Sequence, residues 1–316
     1  MLSPLLVVVT PIYEDNEASQ RLFNDLASEF GSELFLVAVD DGSVHEPVDI
    51  QSLTNAGIPG VVIRLKRNVG HQRAIAVGLS YVADKLRDVE RVVVMDSDGE
   101  DNPATIRVLL DALGSDRFDI AVAQRRSRVE TLRFRIFYVM YKAIFGVLTG
   151  RNISFGNFMA LKPRAVKRLA AMHEVWTHVA GAVLASRLRL AICPLDRSAR
   201  YAGRSKMNFV GLALHGFKAL MVFAEDVLVR VGIICMVISA FSIVCAVVAT
   251  ILKLLGFATP GWFSVALGVL FLMFLQTATL TLMTLMLSGV ARGGAVLVKA
   301  YEDFVDVVFV AEGRND

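Results

Sequence analysis

Arg91-Val92-Val93-Val94-Met95-Asp96-Ser97-Asp98-Gly99-Glu100-Asp101-Asn102-Pro103 passes from apolar, mostly β-branched residues directly into a group of carboxylates. The apolar half reads as a strand. Period-two geometry turns Asp96 and Asp98 to one side, and the strand end leaves both exposed. Hard oxygen ligands of this kind suit Mg2+ or Mn2+ bridging a diphosphate. Asn102 and Pro103 suit the N-cap and first position of a following helix, which leaves Asp96 and Asp98 unexplained by capping.

Four similar runs surround this one: Leu5–Val9, Leu34–Val39, Val61–Leu65 and Ile120–Ala123, separated by helix-like stretches. The alternation predicts an α/β fold with a mostly parallel sheet. In such sheets ligands bind beyond the carboxyl ends of the strands. Polar motifs fall at those ends: Thr10-Pro11-Ile12-Tyr13-Glu14, Asp40-Asp41-Gly42-Ser43, Arg67-Asn68-Val69-Gly70 and Asp96-Ser97-Asp98. A lone Asp-Asp-Gly-Ser is commonly a turn, whereas four motifs in register describe one site.

The last third differs in composition. Val231–Leu252 and Trp262–Leu287 carry no charged residue and are 22 and 26 residues long, and each is long enough to cross a hydrocarbon core of roughly 30 Å. Gly256, Pro260 and Gly261 between them supply a turn, so the pair reads as a transmembrane hairpin. Lys218 and Arg230 precede it and Arg292 and Lys299 follow it. This bias keeps both ends, and the catalytic body, in the cytosol of a multi-pass plasma-membrane protein. A hydrophobic fraction of 55% and a mean hydropathy of +0.55 agree. A net charge of +3 is too small to argue for nucleic acid, and no nucleic-acid partner is expected. Cys193, Cys235 and Cys245 show no disulfide or metal-ligand spacing. Phosphate-loop, dinucleotide-fingerprint and nucleophile-elbow motifs are absent from the sequence, which removes support for ATPase, dehydrogenase and hydrolase readings.

In these motifs the chain resembles inverting family 2 glycosyltransferases of GT-A fold. It is most similar to the polyprenyl-phosphate sugar transferases, the group of dolichyl-phosphate mannose synthase and the bactoprenol glucosyltransferases. The resemblance implies that Pro11, Tyr13, Glu14 and Asp41 border the nucleotide base and ribose. Asp40 would lie near the base edge, with Arg67 and Gly70 against the nucleotide. It implies a metal on Asp96, Asp98 and Glu100, although the group usually reads Leu-Gln-Asp-Pro where this chain has Gly99-Glu100-Asp101-Asn102-Pro103. Arg125 would hold the acceptor phosphate. Arg200, Ser205 and Lys206 would hold the pyrophosphate, with Arg204 replacing a glutamate of the group. Asn157 stands where many relatives carry aspartate, which argues against a general base at that position.

The implied domains are a GT-A body over 1–205, an interfacial amphipathic helix over 206–229, two spans within 230–291 and a C-terminal cytoplasmic segment over 292–316. The expected partners are a UDP- or GDP-sugar donor, a polyprenyl phosphate acceptor, membrane lipids and, by resemblance, further copies in a tetramer. Other lipid acceptors, or a catalytically weak scaffold that keeps the fold, are the alternative readings.

Overall fold

The computed structural model describes residues 6–87, 89–125, 132–201, 209–257, 259, 261–293 and 300–311. The chain divides into two compact units, one formed by 1–142, 152–222 and 298–316, the other by 143–151 and 223–297.

The first unit is built on a mixed sheet. β1 (Leu6–Ile12), β2 (Leu34–Asp40), β3 (Gly60–Leu65) and β4 (Arg91–Val94) are parallel, with β1 between β2 and β4. All seven residues of β1 are buried, as expected of a strand covered on both faces. β5 (Ile120–Arg125), β6 (Met159–Leu161) and β7 (Leu190–Leu195) extend the sheet, and β8 (Val305–Ala311) closes its far edge. The strand order is β7-β5-β6-β4-β1-β2-β3-β8. β6 runs antiparallel to β4 and β5, and β8 antiparallel to β3, so the sheet is more mixed than the alternating sequence pattern conveys.

Helices α1 (Asn16–Phe30), α2 (Ile50–Ala56), α3 (His71–Lys85) and α4 (Ile106–Ala112) cover the sheet. Val7, Val9, Val37 and Val39 pack with Ile75 and Leu79 of α3 in one core. Val8, Leu36 and Ala38 pack with Leu22, Phe23 and Leu26 of α1 in the other. The alternate side chains of each strand therefore fill opposite layers, which fixes the register. α5 (Leu132–Thr149), α6 (Pro163–Ala170), α7 (Val179–Ala185) and α8 (Phe209–Val222) complete the order up to the hairpin.

The second unit is dominated by α9 (Ala224–Leu254) and α10 (Trp262–Gly293). Within them, Ala224–Leu254 and Trp262–Leu287 are long and apolar enough to cross a membrane, with mean hydropathies of 2.8 and 2.0. The stretch expected as one helix across Met207–Val229 is divided near Phe223, where α8 ends and α9 begins. Small and hydroxylated residues bring α9 and α10 together: Ser239 hydrogen-bonds Thr277, and Thr281 Oγ1 donates to the Gly232 carbonyl at 3.5 Å. Their outer faces present large apolar side chains such as Phe241, Phe271 and Leu282.

Candidate active site

The chain turns from β1 into α1, from β2 into α2, from β3 into α3 and from β4 into the turn at Pro103 at one end of the sheet. β2 and β4 flank β1 on opposite sides, so the chain reverses its winding at β1, the position where open α/β sheets bind ligands.

The acids after β2 shape the loops. Asp40 is wholly buried; its carboxylate accepts from Ser43 N at 2.9 Å and Val48 N at 3.2 Å and lies 3.7 Å from Arg64 Nε. Asp41 accepts from Val69 N at 2.7 Å and Gly70 N at 3.0 Å, tying the loop after β2 to the loop after β3. Burial raises the Asp41 pKa above the ordinary carboxylate range, and the two backbone donors act against that rise. Gly42 completes the junction: at φ +70°, a Cβ there would lie 2.4 Å from the Arg67 carbonyl carbon.

Glu14 stands in the left-handed region at φ 46°, unusual for a residue with a side chain. Its carboxylate accepts from the N–H groups of Val44, His45 and Glu46. The Val44 donor leads the effects that hold its pKa below the ordinary value. Asp40, Asp41 and Glu14 therefore spend acceptors on the backbone, making the loops that would receive a nucleoside rigid. Pro11 is buried within β1 beside Val39, while Tyr13 at the strand end is 43% exposed. Arg67 stays at the surface, and Gly70 opens α3.

The acids after β4 face side chains instead, arginines in the case of Asp98 and Glu100. Asp96 Oδ1 lies 3.2 Å from His71 Nε2. Arg200 Nη2 lies 2.6 Å from Asp98 Oδ2, Arg200 Nε lies 2.8 Å from Glu100 Oε1, and Arg197 pairs with Glu100 Oε2. Asp101 accepts from Asp96 N at 3.1 Å, which fixes the turn, and Asn102 caps the segment that begins at Pro103. Among the described residues no three His, Cys, Asp or Glu side chains converge as a ready-made metal cluster. Two carboxylates suffice for Mg2+ or Mn2+ when substrate phosphates supply the other ligands, so Asp96 and Asp98 fit the expected cation by donor chemistry.

Asn157 is held in a chain of hydrogen bonds. Val179 N donates to Gln72 Oε1 at 2.7 Å, Gln72 Nε2 donates to Asn157 Oδ1 at 3.3 Å, and Asn157 Nδ2 faces His71 Nε2 at 3.0 Å. The amide is thereby oriented with its NH2 toward the site. Arg125 is the last residue of β5, and its side chain lies outside the described residues, as do Ser205 and Lys206.

His71, Gln72 and Arg197 join the site without having been singled out from the sequence. Their only advance signal is position: His71 and Gln72 open the helix after the third strand-end motif, and Arg197 stands three residues before Arg200. His178 caps α7 by accepting from Gly181 N at 3.0 Å and meets His215 of α8 Nε2 to Nε2 at 3.0 Å.

Known proteins resemble this chain in sequence and in fold. Residues 7–161 match the Glycosyl transferase family 2 model. Over 287 residues the chain is 25% identical to the uncharacterized glycosyltransferase YkoT of Bacillus subtilis (strain 168), covering 86% of this chain and 83% of that protein. The structure of glucosyl-3-phosphoglycerate synthase from Mycobacterium tuberculosis with Mn2+, UDP-glucose and phosphoglyceric acid aligns with a TM-score of 0.52 at 12% identity, over 71% of this chain and 80% of that one. The same enzyme with Mn2+, UDP and phosphoglyceric acid gives 0.51 at 11%, over 71% and 78%. Identities this low speak for fold alone. Over residues 7–161 the chain thus carries a Glycosyl transferase family 2 domain of GT-A fold, the body of a glycosyltransferase.

Proposed function

We propose that this enzyme transfers one sugar, with inversion, from a UDP- or GDP-sugar to a polyprenyl phosphate at the cytoplasmic face of the plasma membrane. The observation that carries the reading is the return of the chain: after α9 and α10 it rejoins the sheet as β8, paired to β3 from Gly60↔Ala311 to Leu65↔Val305. A chain that leaves one sheet, makes two apolar helices and re-enters that sheet has both hairpin ends on one side of any membrane it crosses. The most apolar window of the second span buries none of its residues, as a lipid-facing helix would and a core helix of a soluble protein would not. An apolar anchor attached to a sugar-transfer site favours a lipid-borne acceptor.

In this reading the loops pinned by Asp40, Asp41 and Glu14 receive the nucleoside with Pro11, Tyr13, Arg67 and Gly70. Asp96 and Asp98 would hold Mg2+ or Mn2+, which when bound would supply positive charge against the diphosphate. Arg200 and Lys206 add further positive charge, and Ser205 a hydrogen-bond donor, where the diphosphate departs. Arg125 holds the acceptor phosphate. A phosphate monoester has a second pKa of about 6 and is largely a dianion at neutral pH, so it attacks the anomeric carbon without a protein base. The neutral amide of Asn157, oriented by Gln72, fits such a reaction by hydrogen-bonding the sugar or acceptor.

The test is transfer of radiolabelled sugar from a panel of UDP- and GDP-sugars to undecaprenyl phosphate in detergent with Mg2+ or Mn2+. A chloroform-soluble, acid-labile product, absent with EDTA and with Asp98→Ala, is expected. Turnover of a donor with a different lipid as sole acceptor would sink the polyprenyl assignment.

A further inference from the structure

The segment from Asp196 to Tyr201 lies along the acidic turn as a strap. Ser198 N donates to the Glu100 carbonyl and Tyr201 N to the Asp98 carbonyl, each at 3.0 Å. The far end is pinned by the Tyr201 hydroxyl, which donates to Asp25, and by Arg21 Nη1, which donates to the Tyr201 carbonyl at 3.0 Å. Gly99, at φ +84°, admits the Tyr201 ring: a Cβ there would stand 2.4 Å from it. The strap therefore requires the glycine found at this position and delivers Arg197 and Arg200 to the carboxylates.

Two nitrogens of the Arg200 guanidinium have different partners. Nε is on Glu100 and Nη2 is on Asp98, while the other Glu100 oxygen pairs with Arg197. Asp98 can consequently let go of Arg200 while Glu100 keeps it in place. A divalent cation taking Asp98 must displace the guanidinium, and the two positive charges oppose each other at this separation. A diphosphate arriving with the cation gives the released Nη groups oxygens of matching geometry.

Resting on the donor site proposed above, we propose that Glu100 is a positioning residue that carries Arg197 and Arg200. Arg200 exchanges Asp98 for the donor diphosphate, so that cation and nucleotide load together. Glu100 then acts through the arginines rather than as a third metal ligand.

The test is Mn2+ binding to the full-length protein in detergent, read from the electron paramagnetic resonance of free Mn2+, with and without UDP or GDP. In the wild type the fitting nucleotide tightens Mn2+ binding. Arg200→Gln is expected to tighten Mn2+ alone by about fivefold, the worth of one partly exposed ion pair, and to lose the enhancement by nucleotide. Glu100→Gln, which keeps size and removes charge, is expected to leave Mn2+ alone no weaker while nucleotide affinity falls. Arg197→Gln should lower nucleotide affinity too, and the Glu100→Gln, Arg197→Gln double variant should be no worse than either single. Unchanged or weaker Mn2+ binding in Arg200→Gln overturns the exchange, and weaker Mn2+ binding in Glu100→Gln makes Glu100 a ligand and overturns its positioning role. Should Arg200→Gln not fold, Glu100→Gln decides alone. A wild type that binds neither nucleotide with Mn2+ refutes the donor site itself, and failure of transfer to undecaprenyl phosphate leaves the exchange untouched.

Discussion

Replacing Gly42 with alanine tests whether the nucleoside loops are as closely joined as the geometry requires. Gly42 has φ +70°, and a Cβ would meet the Arg67 carbonyl carbon at 2.4 Å and Asn68 N at 2.6 Å. A left-handed alanine costs about 1–2 kcal/mol. Relieving a contact with backbone, which cannot rotate away as a side chain can, adds about 1–3 kcal/mol, as overpacking does. The sum is about 2–5 kcal/mol, which for a body of this size lowers the apparent Tm by roughly 5–15 °C. Retreat of Arg67 and Asn68 also pulls Val69 N and Gly70 N from Asp41, so nucleotide affinity falls with stability. Gly57→Ala is the control: it has φ +74° with nothing within 4 Å of the added Cβ, and should lose only the conformational part, about 2–6 °C. Scanning fluorimetry of both variants in one detergent, with a nucleotide titration, makes the comparison. Equal losses in the two variants, or unchanged nucleotide binding in Gly42→Ala, would refute the claim that backbone approach sets the site.

Asp119 accepts from Arg189 Nε and Nη2 at 3.0 Å each and from Arg164, and the Arg189 side chain leads the effects that hold its pKa well below the usual carboxylate range. A depressed folded pKa means stability present above the unfolded value of about 3.9 and lost as pH falls below it. Asp119→Asn should therefore lower stability by about 1–2 kcal/mol at pH 7, discounted for half-exposed arginines. The gap from wild type in thermal melts should close at acid pH; a gap independent of pH would contradict the ion-pair account. His178, 3% exposed, is pushed down to about 3, first by burial and then by His215. Here the unfolded chain takes up the proton, so stability is full above about 6.5 and declines as pH falls toward the folded value, by roughly 2 kcal/mol at pH 5. His178→Asn keeps a capping acceptor and removes the titration, so its melts should change less between pH 7 and pH 5; parallel losses would place the acid sensitivity elsewhere.

Strands β1 to β5 were legible because β-branched runs of four to six residues end in polar motifs at a constant place in the α/β unit. β6 has three residues and forms only because β4 and β5 present matching edges, information that lies far from Met159–Leu161 in sequence. β8 pairs with a strand on the other side of the hairpin, and no local pattern announces that partner. In the site, residue types and positions were readable, but the partners of the side chains were not. Asp40, Asp41 and Glu14 read in sequence as ligand-facing acids, and their fastening of the loops was not readable, because backbone donors converge on them only after the loops fold. Glu100 departs from the pattern of the resembled group, and the structure gives that departure a counterpart in Arg197.

The late return of β8 also has a bearing on synthesis. The open edge of β3 leaves the ribosome on the order of 250 residues before Val305–Ala311 arrives to cover it. At roughly 5–20 residues per second that edge waits for tens of seconds while both apolar helices are made, with unpaired N–H and C=O groups available to any strand nearby. In the membrane topology proposed above, insertion of the hairpin becomes a timed step in maturation, and a nascent chain delayed there would be captured through the β3 edge first.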